Sequence, residues 1–252
     1  MYSVRPPLSP RSHSQRGIAL FVVIVFVMLS MLLALWASRT SLFNELVVGN
    51  DADYQRAYEA AQALLQDAEL DIRNQKADGT ECLGTLDVCR TGINEKIPLE
   101  TKDVGPLLAD LEEKTALCSK GLCVKRLGKQ DFWNNSDPAK GVTLAQMATA
   151  AAGARYGQFT GAGTGSISTP INPILQWDAT TPANSGGWYW IEVLPYLDLK
   201  NSKVIMDASR SNLLAINPKS LVVYRITALA YGRKSGTLVA LQQTYAQQRT
   251  LN

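Results

Sequence analysis

The chain has 252 residues, with 25 lysines and arginines against 22 acidic residues, and its formal net charge is +3. Residues 1–17 hold three arginines and no acidic residue, so the rest of the chain is formally neutral and lacks the basic surface that nucleic-acid binding requires. The single histidine, His13, lies in the same segment, which excludes a Ser-His-Asp or Cys-His catalytic set elsewhere.

The longest apolar run extends from Ile18 to Ala37 and contains no charged residue. As a helix that rises about 1.5 Å per residue, it is about 30 Å long, which matches the hydrocarbon thickness of a bilayer. A secretory signal peptide would have a shorter apolar core, followed by a cleavage site of small residues. The run therefore predicts a membrane span. Arg5, Arg11 and Arg16 before it predict a cytoplasmic N-terminus, with the rest of the chain on the far side.

The apolar periodicity of a helix continues past this span. The residues at steps of three or four, in a row that Asn50 interrupts, are Leu42, Leu46, Tyr54, Ala57, Ala61, Leu64, Ala68 and Ile72. The other faces carry Asp51, Asp53, Gln55, Arg56, Gln62 and Asp67. One helix is predicted from Ile18 to about Arg73, and its second half is amphipathic. Gly49 weakens this helix, and Asn50 and Asp51 beside it are suited to cap a second helical segment.

Four cysteines, Cys82, Cys89, Cys118 and Cys123, lie on the predicted far side of the membrane, where disulfides form and persist. Three pairings are possible. We favour Cys82 with Cys89 and Cys118 with Cys123, because short loops cost the least entropy to close. A zinc site is disfavoured because the spacings are C-x6-C and C-x4-C, and the only histidine lies across the membrane.

The residues around the span resemble those of type IV pilins. Arg16-Gly17 stands directly before it, as in a class III leader, and the stretch RTSLFNELVVGNDADYQRAYEAAQALLQDAE follows it. Residues 39–69 resemble the PilX-type minor pilins, whose pattern is E-x3-GN and then an aromatic-AA-x-A helix segment. Weaker likeness recurs in ARYGQFTGAG, WYWIEVL and YRITALAYGRKSGTLVALQQTY. The resemblance implies the type IV pilin fold, in which a long N-terminal helix packs on an antiparallel sheet.

By this resemblance, a prepilin peptidase cleaves between Gly17 and Ile18 and then methylates the freed amine of Ile18. A glycine suits the site because its backbone enters a tight cleft without a side chain in the way. Ile18 stands where the family more commonly has phenylalanine. Residues 1–17 are then a removable leader.

In most pilins a glutamate occupies the fifth position after the cleaved glycine, where this chain has Val22. In the family that carboxylate pairs with the N-terminal amine of a neighbour already in the filament, and without a partner it is costly inside a bilayer. A subunit with nothing ahead of it has no such partner. Val22 therefore fits a subunit at the pilus tip, like the glutamate-lacking K-type minor pseudopilins of type II secretion. From the span alone, Val22 is equally one more lipid-facing residue of a generic anchor.

Three C-terminal segments alternate as strands do, over residues 187–197, 221–231 and 237–248. Pro195 is expected to end the first strand, and GRKSG is expected to form a hairpin between the other two. A fourth strand is predicted over residues 122–127. The expected architecture is α+β, an antiparallel meander whose apolar face is covered by the alanine-rich part of the long helix.

The middle of the chain gives weaker signals. A short helix is predicted over residues 143–155 and a loop over residues 157–187, where GAGTG lacks the flanking residues of a phosphate-binding turn. Trp188 and Trp190 fit edge or core packing better than a stacking platform for sugar or DNA. Asp198 and Asp207 have too few oxygen ligands nearby for calcium. No metal and no cofactor is predicted.

The sequence therefore predicts a non-enzymatic minor pilin that takes part in priming type IV pilus assembly and sits at or near the tip. Its predicted parts are a leader (1–17), a transmembrane half-helix (18–38), an amphipathic half-helix (39–73) and a periplasmic or extracellular head (74–252). The expected partners are other minor pilins, the major pilin, the inner-membrane assembly platform, the prepilin peptidase and, before assembly, membrane lipid. No direct contact with nucleic acid is expected. Two alternatives remain, a tip pseudopilin of a type II secretion system and a single-pass membrane-anchored sensor or enzyme.

Overall fold

The first element is helix α1 (Arg16–Ile72), which has 57 residues and agrees with the helix predicted from the apolar pattern. It continues through Gly49, so Asn50 and Asp51 lie inside the helix and do not begin a second one. A single glycine costs a helix only about 1 kcal/mol, which is small against the hydrogen bonds formed on both sides of it.

The structure is a computed structural model that describes residues 16–82, 88–90, 95–98, 101–126, 131–163, 172–199, 202–205 and 222–246. The chain divides into two units, Met1–Asn50 and Asp51–Asn252. The boundary falls inside α1, so residues 51–72 of the helix belong to the second unit, which we call the head unit.

The head unit contains two further α-helices in its described part, α2 (Thr101–Glu112) and α3 (Leu144–Met147). Its strands are β1 (Cys118–Ser119), β2 (Leu122–Val124), β3 (Ala154–Arg155), β4 (Gly187–Leu199), β5 (Ser202–Ile205), β6 (Val222–Tyr231) and β7 (Leu238–Tyr245). Two short 3₁₀ helices, Phe132–Asn134 and Pro138–Lys140, lie between β2 and α3. The α+β architecture predicted from the sequence is confirmed.

The strands form one mixed sheet in the order β1-β2-β4-β6-β7, with β3 and β5 also paired to β4. The antiparallel meander β4-β6-β7 is as predicted, with its hairpin at residues 232–237. The expectation of a wholly antiparallel sheet was wrong, because β2 pairs with β4 in parallel. A parallel pair needs a long crossover connection, and more than 60 residues separate β2 from β4.

Pro195 does not end β4, which continues to Leu199. It forms the last pair of β4 with β6, opposite Val222, and the next residue, Tyr196, pairs with Ile205 of β5. Proline lacks an amide hydrogen and is tolerated where the hydrogen-bonding pattern of a strand changes. In this sheet that change is the passage of β4 from one neighbour to the other.

Both faces of the sheet are covered at its centre. On the first face, apolar side chains of β4 and β6 share a core with the buried stripe of α1, and the residues of that stripe are Ala57, Ala60, Ala61, Leu64, Ala68 and Ile72. The four alanines let the sheet approach the helix backbone closely. The predicted stripe began too early, because Leu42, Leu46 and Tyr54 are 59%, 60% and 49% exposed.

The second face holds a smaller core around Trp188 and Trp190, which are 3% and 0% exposed. The indole N–H of Trp190 donates to the carbonyl of Met147, and Phe132 meets the Trp190 ring edge-on at 4.8 Å. Core packing of these tryptophans is therefore confirmed. The segment over them is less helical than predicted. Only α3 forms, with Thr143 and Gln146 in a capping box.

Beyond α3, Gly153 lies against the tryptophan core. A Cβ at this position would lie 2.8 Å from the Trp188 ring, so the segment turns closely over the tryptophans and then joins β4 as strand β3.

Helix α2 was not predicted. Val104, Leu107 and Leu111 bury one face of it in the main core, but the Gly105-Pro106 pair inside the helix hides the pattern.

Candidate assembly site

The first unit contains the apolar part of α1, and the described large apolar side chains of this part are exposed. Large apolar side chains between Ile18 and Val48 are exposed, from 38% for Val25 to 71% for Trp36. Apolar surface of this extent marks a site that meets lipid or other proteins. By length and composition α1 is also able to cross a membrane, and it is the only such helix in the described part of the chain.

The residues predicted for processing lie in the first turns of this helix, because α1 begins at Arg16. The side chains of Ile18 and Val22 are 68% and 43% exposed. Along α1 the first charge after Gly17 is Arg39, and the first carboxylate is Glu45. The apolar segment therefore has no acidic side chain over its first 29 residues (16–44).

Three aspartates of α1 are buried in the head unit, namely Asp53 (2% exposed), Asp67 (2%) and Asp71 (5%). The prediction that Asp53 and Asp67 lie on polar faces was therefore wrong. The reason is visible in the spacing, because residues 53, 57, 60, 64, 67 and 71 follow one another at steps of four and three. The carboxylates continue the apolar stripe and contact three different segments of the head unit.

Asp53 binds the turn between β6 and β7. Its carboxylate accepts the backbone amide hydrogens of Arg233 at 2.9 Å and Lys234 at 3.1 Å, and a hydrogen bond from the side chain of Thr237. Burial raises the pKa of Asp53, but these hydrogen bonds and the charge of Lys234 outweigh burial and hold it below its usual value. The carboxylate is therefore ionised at neutral pH and fixes the hairpin on the helix.

Asp67 binds the turn that follows β3. Its carboxylate accepts the amide hydrogen of Gly157 at 2.7 Å and the hydroxyl hydrogen of Thr160. Burial raises the pKa of Asp67 to about 7; the hydrogen bonds from Thr160 and Gly157 lower it, and the charge of Asp71 raises it. A side chain at Gly157 is not possible, because its φ is +71° and a Cβ would overlap the carbonyl of Ala162.

Asp71 forms the most buried ion pair of the helix. Its carboxylate accepts two hydrogen bonds from Nε of Arg90, at 2.9 and 3.0 Å, and one from Nη2 at 2.8 Å. The hydroxyl of Tyr189 also donates to it at 2.9 Å. Arg90 in turn donates to the carbonyl of Lys120 and lies over the ring of Phe159 at 3.7 Å.

The structure contains both disulfides of the favoured pairing. Cys82–Cys89 closes a loop that ends one residue before Arg90, so the bridge keeps this arginine close to the end of α1. Cys118–Cys123 joins β1 to β2 and lies in the core of the second face. In the described part of the chain no cysteine is free.

On the second face, Glu192 of β4 lies buried between two arginines. Its carboxylate accepts hydrogen bonds from the backbone amide of Arg126 at 3.0 Å and from Nε of Arg225 at 2.6 Å. Burial raises the pKa of Glu192, but the charge of Arg126 and the hydrogen bond from Arg225 hold it below the usual value. This contact ties β4 to β6 and to the segment after β2.

Among the described residues, no group of three or more His, Cys, Asp or Glu side chains is arranged to hold a metal ion. The Asp198 and Asp207 pair lies outside the part of the chain whose side chains the structure describes.

Comparison with known families gives one match to the N-terminal part of the chain and one to the C-terminal part. The family described as PilX N-terminal matches residues 16–66, and the family described as type IV pilus assembly protein PilX C-term matches residues 119–247. The chain belongs to the PilX family. Comparisons with curated proteins and with solved structures give no match.

The resemblance to PilX-type minor pilins predicted from the sequence is thus confirmed, and the chain is a minor pilin of type IV pilus assembly. The PilX N-terminal match covers the exposed apolar segment and Asp53, and the PilX C-terminal match covers every strand from β2 to β7. Residues 67–118 lie between the two matches and contain Asp67, Asp71 and the Cys82–Cys89 loop. A PilX protein with so apolar a first helix is anchored in a membrane.

Sequence reasoning missed the three aspartates as contacts between helix and head. The available signal was their position at the helical steps of the apolar stripe, which indicates burial for a charged residue as well as for an apolar one. Their partners, by contrast, lie up to 181 positions away along the chain and carry no local signal.

Proposed function

We propose that this PilX-family protein is the first subunit of a type IV pilus, where it helps to prime assembly and then remains at or near the tip. The observation that supports this proposal is the absence of any acidic residue in α1 before Glu45, including Val22 at the position of the usual pilin glutamate. Any subunit behind another one gains an ion pair from that glutamate, whereas the first subunit would leave a carboxylate unpaired in the membrane.

The N-terminus of the mature protein follows from the same proposal. Prepilin peptidase removes residues 1–17 by cutting between Gly17 and Ile18, and the amine of Ile18 is methylated. Residues 18–38 then span the inner membrane, residues 39–73 complete the helix, and residues 74–252 form the bulk of a periplasmic head. After assembly the head is at the cell surface.

The exposed apolar side chains of α1 serve two environments in turn. Before assembly they contact membrane lipid, and afterwards they pack against the helices of other minor pilins and of the major pilin in the filament. Association of apolar helices depends on close packing rather than on removal from water, so the exchange needs little net energy. The inner-membrane assembly platform is the partner that would guide it.

The protein acts in this proposal as a structural subunit without catalytic activity. A tip pseudopilin of a type II secretion system would use the same helix, but membership of a pilus assembly family favours the pilus. The same membership argues against the alternative of a single-pass sensor or enzyme.

Mass spectrometry of the N-terminus of the protein from sheared pili tests the processing step. We expect a chain that begins with methylated Ile18, and a Gly17→Leu variant that keeps residues 1–17. An intact Met1 in the pilus fraction would contradict the assignment.

Gold labelling of the head on intact pili tests the position. We expect label at pilus ends only. A Val22→Glu variant should reduce the number of pili, because its carboxylate has no partner at the first position, while Val22→Leu as a matched control should leave the number unchanged. Label along the filament shaft, or a Val22→Glu strain with the normal number of pili, would overturn the tip position.

A further inference from the structure

The head unit has a cleft that none of the contacts described above fills. It encloses about 370 Å³ and is lined by residues 156–157, 162–163 and 175–177. Leu175 forms an apolar part of the lining and is 2% exposed, whereas Trp177 is 40% exposed. A volume of this size lies at the lower end of the range for small-ligand sites, and it is large enough for one sugar ring.

The indole of Trp177 is held in a fixed position. Its Nε1–H donates to the backbone carbonyl of Tyr156 at 2.7 Å, so the polar atom of the ring is satisfied within the protein. The exposed part of the indole supplies apolar surface to the lining. Tyr156 precedes Gly157, whose amide donates to the buried carboxylate of Asp67. The opposite segments of the lining are thus fixed to each other and to α1 before any ligand arrives.

The described residues of the lining carry no formal charge. The polar groups that these residues carry are the amide of Gln176, the hydroxyl of Tyr156 and their backbone groups, including those of two glycines. None of these described lining residues is a lysine or arginine, so they offer no side-chain charge to neutralise a phosphate or carboxylate and do not suit an anion. They suit a neutral ligand that has both an apolar face and many hydroxyl groups.

We propose that this cleft binds one ring of a neutral carbohydrate, with the C–H face of the ring on Trp177 and its hydroxyl groups on Gln176 and the backbone. Aromatic rings combine apolar contact area with a defined orientation, which fits the flat face of a pyranose. A peptide is a poorer fit because the described lining residues lie in turns and irregular backbone, which offer no strand edge to which an extended chain can add. Trp188 and Trp190 cannot stack on a sugar because both are buried. The proposal assigns this role to Trp177 instead.

The test uses the full chain, purified in a zwitterionic detergent because alkyl maltosides and glucosides would themselves occupy a sugar site. The probes are the methyl glycosides of glucose, galactose, mannose, N-acetylglucosamine and N-acetylgalactosamine, with the methyl glycoside of sialic acid as the anionic comparison. Saturation-transfer NMR detects binding, and titration gives Kd. We expect at least one neutral glycoside to bind with a Kd of about 1 mM, which is typical of contact through a single ring and a few hydrogen bonds.

Two variants identify the site. Trp177→Ala should weaken binding at least tenfold. Ala162→Phe should do the same by filling the cleft while Trp177 stays in place, so a loss in both variants is not explained by the removal of one tryptophan. Tyr54→Ala is the matched control, since Tyr54 is also an exposed aromatic residue (49%) but lies on α1 outside the lining, and it should bind as the wild type does. Near-UV circular dichroism shows whether each variant is folded.

Three results would overturn the proposal. They are the absence of saturable binding by every neutral glycoside, unchanged Kd in folded Trp177→Ala and Ala162→Phe proteins, or binding of the sialic acid glycoside alone. A proline-rich peptide that binds where no glycoside does would assign the cleft to a peptide instead. The proposal is independent of the position of the subunit in the pilus, so its failure would leave the tip proposal unaffected.

Discussion

Asp67 should make the stability of the head unit fall as the pH rises from 5 to 8. Burial raises the pKa of its carboxyl group to about 7, against an ordinary value of 3.8. Between these two values the folded protein holds a proton that the unfolded chain has released. A rise in pH therefore favours the unfolded chain, and the stabilisation that is complete below pH 3.8 disappears as the pH passes 7.

The size of the effect follows from the two pKa values. One pKa unit corresponds to about 1.4 kcal/mol, and only part of the difference is expressed between pH 5 and pH 8. Linkage of the two protonation equilibria gives a loss of about 2.5 kcal/mol in the free energy of unfolding over this interval. Few other groups titrate in the interval, because the only histidine of the chain is His13.

The substitution that tests this effect is Asp67→Asn, because the asparagine side chain is neutral at every pH. Its amide oxygen can accept the hydrogen of Gly157, and the Thr160 hydroxyl can turn to accept from the amide group. Urea unfolding of the full chain in detergent, followed by near-UV circular dichroism at pH 5, 6, 7 and 8, gives the free energy of unfolding. We expect the wild type to lose about 2.5 kcal/mol between pH 5 and pH 8 and Asp67→Asn to lose less than about 1 kcal/mol.

Asp51→Asn is the control, because Asp51 is an exposed aspartate on the same helix. It should show the pH dependence of the wild type. A wild-type protein with the same stability at pH 5 and pH 8, or an Asp67→Asn variant that retains the full loss, would refute the assignment of this pH dependence to a buried Asp67 carboxyl group.

Two further substitutions test the contacts of the sheet by urea unfolding at pH 7. Asp53→Ala should cost about 2 kcal/mol, because it leaves the two backbone amides of the β6–β7 turn without their acceptor; a loss equal to that of Asp51→Asn would contradict this. Glu192→Gln should cost about 3 kcal/mol because two buried arginines lose their counter-charge. Asp110→Ala, which breaks a partly exposed pair with Lys114, should cost less than about 1 kcal/mol; equal costs for these two pairs would show that burial of Glu192 has no energetic consequence.

The sequence predicted the elements whose signals are local. The bounds of α1 agree with the prediction within two residues because its apolar pattern is long and periodic. Strands β4, β6 and β7 all begin within one residue of the predicted positions, because alternation and glycine-rich turns define them, but β4 ends two residues later and β7 three residues earlier than predicted. Helix α2 was not predicted because Gly105-Pro106 interrupts its apolar pattern. The continuation of β4 past Pro195 was not predicted, because it depends on pairing with β5, and the sequence of β5 has no distinctive strand pattern.

In the candidate site, too, only the features with a local signal could be predicted. The exposed apolar helix could be located from composition alone, whereas its processing at Gly17 and Ile18 stays a prediction from resemblance. The buried aspartates, Glu192 with its two arginines, and the Trp177 cleft could not, because each depends on partners brought together only by folding. Asp67, for example, meets Gly157 and Thr160 at separations of 90 and 93 residues.

The division of the chain at Asn50 has a consequence for any attempt to release the head from the membrane. Residues 57–72 supply the α1 stripe of the main core, and Asp53 supplies the acceptor for the β6–β7 turn. A soluble fragment that starts after the helix, near Asn74, would expose the apolar face of its own sheet and is expected to aggregate. A fragment that starts at Asp51 keeps the stripe and the acceptor, so the shortest secretable head includes more than 20 residues of the anchor helix.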